Sequence, residues 1–232
     1  MSPFMTHHWP HLALLALIIV LWAWEKRAPA MVNRLEENVL ILLMGAITFV
    51  SFGQVVARYM FNTGWSAALE FTTACFSWLI LFGMSYGIKH STHLGVDIVL
   101  NKLPPGPARW MSIFGAAMGL LYGLILLDAT WLQLLGVETR SGAIDYWNKM
   151  FRIGIGSEEL RWPQFVQDWF GSKDRVQRWI VLIMLPISLA LLSFRSLQAM
   201  VGIYKGERDH VIASHEAEEL VAENQGALAD LK

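Results

Sequence analysis

The residues of this sequence able to do chemistry are few and scattered. Asp128 is the one aspartate inside a long apolar run. A carboxylate dyad sharing a proton needs a second acid beside the first, so a lone Asp128 suits a packing or partner contact better than proton transfer. The histidines His7, His8, His11, His90, His93, His210 and His215 all fall outside the four longest apolar runs. Paired axial ligands for a haem cannot be assembled within those runs. Cys75 is the single cysteine, which excludes an internal disulfide, a thiolate metal cage and a CxxC redox pair. Arg58 and Glu70 flank the turn Asn62-Thr63-Gly64, and an antiparallel hairpin would hold them at similar depth. They can pair to fix that hairpin, a structural role favoured over ion transport. His93 and Asp97, four residues apart, can share one side of a helical turn. Two ligands are too few for a metal, so a hydrogen-bonded loop anchor is the better reading. No catalytic residue, metal or cofactor is expected, and the chain reads as a non-enzyme.

The elements that carry these residues follow from composition. Of 232 residues, 55% are hydrophobic and 16% charged, against roughly a quarter charged in a soluble domain. The net charge of -1 gives no reason to expect a nucleic-acid partner. A membrane helix needs about 20 apolar residues to cross about 30 Å of hydrocarbon. Four stretches meet that length, at 38–60, 67–88, 110–136 and 176–194. The predicted fold is an all-α membrane protein, a bundle of four transmembrane helices around which the lipid bilayer is the solvent. Residues 31–208 form this membrane domain, and 209–232 is a polar tail, acidic and poor in aromatics. The apolar segment within 1–30 runs from His11 to Trp24, with Glu25, Lys26 and Arg27 after it and no basic residue before it. That charge order opposes a signal peptide. It fits either a short fifth helix entering from the periplasm or a partly inserted anchor, and Met31 stands as an alternative start.

Lysine and arginine set the orientation. Lys26, Arg27 and Arg34 precede the first span, and the turn after it carries no basic residue. Lys89, Lys102 and Arg109 fall in the next connection, and Arg195, Lys205 and Arg208 follow the last span. These clusters share one side, which the positive-inside rule makes cytoplasmic, with the carboxyl terminus there too. The loop 137–175 is then periplasmic.

Two features predict partners. Gly115, Gly119 and Gly123 recur every fourth residue and form a smooth face for close helix packing, with Asp128 on roughly the opposite face. Neither face suits lipid, so the third span is expected to be covered on two sides; the competing reading has Asp128 snorkelling toward the periplasmic end and the glycines merely reflecting membrane composition. In the loop, Pro163 opens and Gly171 ends a short interfacial helix with Phe165, Val166, Trp169 and Phe170 along one stripe. The stripe lies either at the membrane interface beside Trp147 and Trp162 or on a partner. For a partner, Arg152, Glu158, Glu159 and Arg161 would form a docking surface that sets orientation and encounter rate.

The order of Asn33-Arg34-Leu35-Glu36-Glu37, then Arg58-Tyr59, Trp65 with Glu70, Gly83, and His93 with Val96-Asp97 resembles the small membrane subunit of tripartite ATP-independent periplasmic (TRAP) transporters. The resemblance covers residues 32–208. It departs from shorter members in the amino-terminal segment and in the long connection containing Ser141-Gly142-Ala143-Ile144-Asp145-Tyr146-Trp147, which is similar to the C4-dicarboxylate branch. The resemblance implies a scaffold subunit without substrate ligands. Its partners would be a large membrane subunit, which moves an organic acid by a sodium-coupled elevator motion, and a periplasmic substrate-binding protein. The alternative is a membrane-anchor subunit of a respiratory or other membrane complex, which would place histidines at membrane depth.

Overall fold

A chain of long apolar runs must satisfy its backbone within each run when lipid surrounds it. The computed structural model, which describes residues 3–90, 103–139, 141–171 and 173–206, is built in that way. Helix α1 covers Pro3–Arg27, α2 Pro29–Met60, α3 Ala68–His90 and α4 Pro105–Leu127. A 3-10 helix at Thr130–Leu135 leads to α5 at Ala143–Ile153, strand β1 at Gly156–Arg161, α6 at Gln164–Phe170 and strand β2 at Arg175–Gln177. Helices α7, Arg178–Leu182, and α8, Met184–Lys205, close the described chain. Among the described residues, 5 helical stretches are long and apolar enough to cross a membrane: His8–Arg27, Pro29–Met60, Ala68–His90, Gly106–Leu127 and Arg178–Lys205. The fold is an all-α membrane bundle that carries only a two-stranded antiparallel sheet.

All four expected spans are present, and the amino-terminal segment is a further helix of crossing length, longer than the His11 to Trp24 run alone. Their limits differ for local reasons. Pro29 occupies the first turn of α2, where its missing N–H costs nothing, so the helix begins well before the apolar run at 38. The stretch expected at 110–136 stops as α4 at Leu127, because Asp128 turns the backbone away from the helix. The last span is longer than 176–194 and reaches Lys205. Its break at Ile183 follows from Pro186, which has no N–H for the carbonyl of Leu182, four residues earlier. Arg195, expected beyond this span, is instead inside α8 and buried, with Nη1 donating to Gln198 Oε1 at 2.8 Å. A long side chain can stay in a helix at depth when a polar neighbour receives it.

The described residues form two compact units, one within 1–84 and 123–191 and the other within 85–122 and 192–232. In the first, Asn62 at the end of α2 takes the left-handed conformation, φ 48°, which asparagine tolerates, and Thr63 N–H returns to the Ala57 carbonyl. Gln54 clamps the turn by donating to the Trp65 carbonyl at 3.1 Å and accepting the Trp65 N–H at 3.0 Å. Trp78 Nε1 on α3 donates to the Val181 carbonyl on α7 at 2.7 Å. Helix α5 is amphipathic: Ile144 and Trp147 are buried, while Asp145 pairs with Lys149 at 2.7 Å on another face. Its indole at Trp147 donates to the Trp179 carbonyl at 3.0 Å, within an aromatic cluster of Trp9, Trp147, Phe151 and Trp179.

In the second unit, α4 and α8 meet through small residues. Ala108, Ser112 and Ala116 are buried on α4, and Ser196, Ala199 and Ile203 are buried on α8. Arg109 at the start of α4 donates to the carbonyls of Ile203 and Tyr204 at the end of α8. The Ile203 carbonyl also accepts the Gly206 N–H at 3.1 Å, so at this helix end the guanidinium adds a donor to the last-turn carbonyls and complements the helix dipole.

Candidate functional site

The residues with functional interest gather around the segment that follows α4. Three observations explain how that segment is held. Glu70, in the first turn of α3, accepts three successive backbone N–H groups of β1: Glu158 on Oε1 at 3.1 Å, and Glu159 and Leu160 on Oε2, each at 2.8 Å. The expected Arg58–Glu70 pair is therefore replaced. A run of three amide donors gives a carboxylate more acceptor bonds than one arginine across a turn, and Glu70 faces the strand.

The second observation is the junction at Asp128. Its Oδ1 accepts the Thr130 N–H at 2.9 Å and the Thr130 hydroxyl at 2.7 Å, and His11 Nε2 of α1 lies 2.9 Å from Oδ2. Burial pushes the carboxyl up, but the Thr130 hydrogen bonds and then His11 outweigh it, leaving the group below the ordinary carboxylate value. Asp128 thus sits just past the end of α4 and ties this end to α1. Sequence reasoning missed His11, because 117 residues separate the two partners and no local spacing joins them.

The third is Gly142, the residue before α5. A Cβ there would lie 2.5 Å from the Leu127 carbonyl oxygen and 2.7 Å from the Asp128 backbone. Only glycine lets the start of α5 approach the end of α4 so closely. The Ser141-Gly142-Ala143 run therefore has a steric reason at its centre.

The expected docking residues divide into two kinds. Glu158 pairs with Arg178 at 2.8 Å and Arg161 with Asp174 at 3.2 Å, so these two are engaged within the chain. Arg152 makes one long contact, Nε to Asn148 Oδ1 at 3.4 Å, and the Glu159 side chain is exposed. The short helix expected between Pro163 and Gly171 is present as α6, with Pro163 as its N-cap residue and Gly171 ending it at φ 56°. Phe165 and Trp169 on it are 66% and 83% exposed, so no described residue covers that part of the stripe, while Val166 is half-buried. The β1–β2 pair and α5 were not expected.

On α4 the glycine face is divided. Gly119 packs against Ser196, whose Oγ would lie 3.1 Å from an added Cβ, whereas a Cβ on Gly115 would meet nothing within 4 Å. Gly123 is buried. The expected three-glycine surface is thus used within the chain at Gly119 and open at Gly115. His93 and Asp97 lie outside the described residues.

Helices of crossing length, an amphipathic segment fastened back onto them and an uncovered apolar stripe define a multi-pass membrane subunit. The family model described as "Tripartite ATP-independent periplasmic transporters, DctQ component" matches residues 47–206. The chain belongs to this family, whose members are transporter subunits and not enzymes. It is 33% identical over 205 residues to the C4-dicarboxylate TRAP transporter small permease protein DctQ of Vibrio cholerae, covering 85% of this chain and 83% of that one. It is 25% identical over 213 residues to the protein of the same name from Pseudomonas aeruginosa, covering 79% and 89%. A Rhodobacter capsulatus protein of that name is 25% identical over 164 residues, covering 70% of this chain and 60% of its own. No solved structure matches the chain.

Proposed function

We propose that this chain is the scaffold subunit of a sodium-coupled TRAP transporter of the bacterial inner membrane, importing C4-dicarboxylates or related organic acids. Its partners are a large membrane subunit that moves the substrate and a periplasmic protein that delivers it. The observation that carries the substrate class is the Vibrio cholerae relative named for C4-dicarboxylates, to which the likeness runs over most of both chains. The orientation read from lysine and arginine puts the carboxyl terminus in the cytoplasm and the 137–175 segment in the periplasm. In that orientation α1 begins on the periplasmic side, which is where its His11 must be to meet Asp128 at the periplasmic end of α4.

A scaffold role is supported by where the apolar surface lies. On α2, Phe49, Phe52 and Tyr59 are 82%, 68% and 84% exposed, so this helix has apolar surface to give to a larger neighbour as well as to lipid. Reconstituted alone in sodium-free liposomes placed in external sodium, the chain should take up no succinate, fumarate or malate. With its large subunit and binding protein it supports sodium-driven uptake. Uptake by the chain alone would refute the assignment.

Within this reading the loop is a docking surface, and Glu159 is the residue that tests it cleanly, since reversing Glu158 would also break its pair with Arg178. Glu159→Lys should slow uptake at low concentrations of binding protein and raise its salt sensitivity, because an exposed charge acts mainly on encounter rate. The amount of assembled membrane complex should not change. Uptake equal to wild type at every concentration of binding protein would leave the loop as a brace and nothing more.

A further inference from the structure

The end of α5, helix α6 and the start of α7 border an open cavity of about 720 Å³, to which the transport reading assigns no ligand. Its walls are apolar and aromatic, with Trp162, Val166, Trp179 and Ile180 among them, and two cations, Arg152 and Lys173, line it. No acidic side chain is among its described lining residues. Of the nearby acids, Glu158 pairs with Arg178 at 2.8 Å, Asp174 with Arg161 at 3.2 Å and Asp145 with Lys149 at 2.7 Å, while Asp168 on α6 and Glu159 on β1 are exposed and do not line it. Among the described residues Arg152 holds only Asn148, at 3.4 Å. Lys173 Nζ leans over Gly154, where an added Cβ would come within 3.6 Å of it. Two cations with no carboxylate partner among the described residues, beside an apolar wall, call for an occupant that is anionic at one end and apolar at the other.

Depth identifies the occupant. Trp179 and Ile180 belong to the first turn of the crossing stretch Arg178–Lys205, so the cavity opens where that span enters the bilayer. Indole rings favour the level of the lipid head groups, and Trp162 and Trp179 supply two of them. The volume lies within the range of about 300–1,000 Å³ for small-molecule sites and is far more than a bare phosphate would fill.

We propose that this cavity binds the head group of an anionic phospholipid, with the phosphate between Arg152 and Lys173 and the first acyl carbons against Trp179 and Ile180. The inference rests on the membrane fold and is independent of what the transporter carries.

Native mass spectrometry of the full chain in detergent micelles tests it, with phosphatidylglycerol and phosphatidylcholine titrated separately. Each cation near a membrane surface favours an anionic lipid about fivefold, so phosphatidylglycerol should be retained roughly thirtyfold more tightly than phosphatidylcholine. The double variant Arg152→Ala with Lys173→Ala should lose that preference, and Arg152→Lys with native Lys173 should keep most of it. The rescue by lysine separates lost charge from a misfolded loop. A tenfold excess of glycerol 3-phosphate should displace little lipid, since it lacks the apolar part. Equal retention of the two lipids, an unchanged preference in the double variant, or full displacement by glycerol 3-phosphate would each overturn the proposal. The last result would assign the cavity to a free phosphate ester instead.

Discussion

Replacing Glu70 with alanine should release β1 from α3 without unfolding either helix or bundle. The carboxylate accepts N–H groups from Glu158, Glu159 and Leu160 at 3.1, 2.8 and 2.8 Å. A shielded hydrogen bond to a charged acceptor contributes about 1.5–3 kcal/mol net. Of the three donors, only Leu160 is partly buried, and water can replace the carboxylate at the other two. Counting the shielded bond in full and the exposed ones at a fraction of that gives about 3 kcal/mol, or roughly a hundredfold in the local opening equilibrium. Hydrogen–deuterium exchange of the chain in nanodiscs reads this directly. Amides 158–160 should exchange about a hundredfold faster in Glu70→Ala, while α3 keeps its protection. Glu70→Gln should fall between: its one amide oxygen can keep the Glu159 and Leu160 bonds, but the NH2 group then confronts the Glu158 N–H. Unchanged exchange at 158–160 in Glu70→Ala would show that the strand is held by β2 alone, and the anchoring argument would fail.

Two further outcomes follow from the same geometry. Because the Asp128 carboxyl lies below its ordinary value when folded, its contribution is complete above that ordinary value and is lost as pH falls through the folded value. The melting-temperature gap between wild type and Asp128→Asn should therefore be widest near neutral pH and shrink through the acidic carboxylate range; a gap that stays constant would show that the ionised form gains nothing from Thr130 and His11. Gly119→Leu should lower stability in detergent by about 1–3 kcal/mol through overpacking against Ser196, whereas Gly115→Leu, which meets nothing within 4 Å, should leave the isolated chain unchanged. Equal melting temperatures for all three proteins would remove Gly119 from the α4–α8 contact.

What could be read in the sequence divides along the range of the interactions involved. Spans depend on run length against bilayer thickness, a property of composition, and all four appear where the apolar runs lie. Helix α6 was legible because Pro163 and Gly171 act on their own neighbours. The β1–β2 pair was not, since Gly156 and Gln177 are matched across an intervening helix and neither strand has the alternation of a half-buried sheet. Arg195 was misplaced for a related reason. One positive charge was taken to end a span, but the chain continues with Leu197, Ala199, Met200, Val201 and Ile203, enough apolar surface to carry the helix to Lys205.

The errors at Glu70 and Asp128 have a common physical cause. Both assignments treated a carboxylate as a charge seeking another charge or avoiding lipid, Glu70 placed by hairpin depth and Asp128 by helical periodicity. In each case it serves as an acceptor for backbone N–H groups that have no partner in their own element, three on β1 for Glu70 and one at Thr130 for Asp128. A carboxylate offers two oxygens with about four lone-pair directions, so it can close several orphaned donors at once, whereas a single arginine across a turn at a wet surface contributes little. The helical wheel for Asp128 further assumed that the helix continued to 136, but a side chain able to bond its own backbone two residues on is itself a reason for the helix to stop. At the edges of a membrane span, an acid therefore reads better as the place where regular structure ends and the next segment is fastened. Glu70 and Asp128 do this at two separate points of the one segment that carries the exposed apolar helix and the cation-lined cavity. That segment is held to the bundle by polar bonds at each point, which leaves its apolar surface free to meet lipid or a partner.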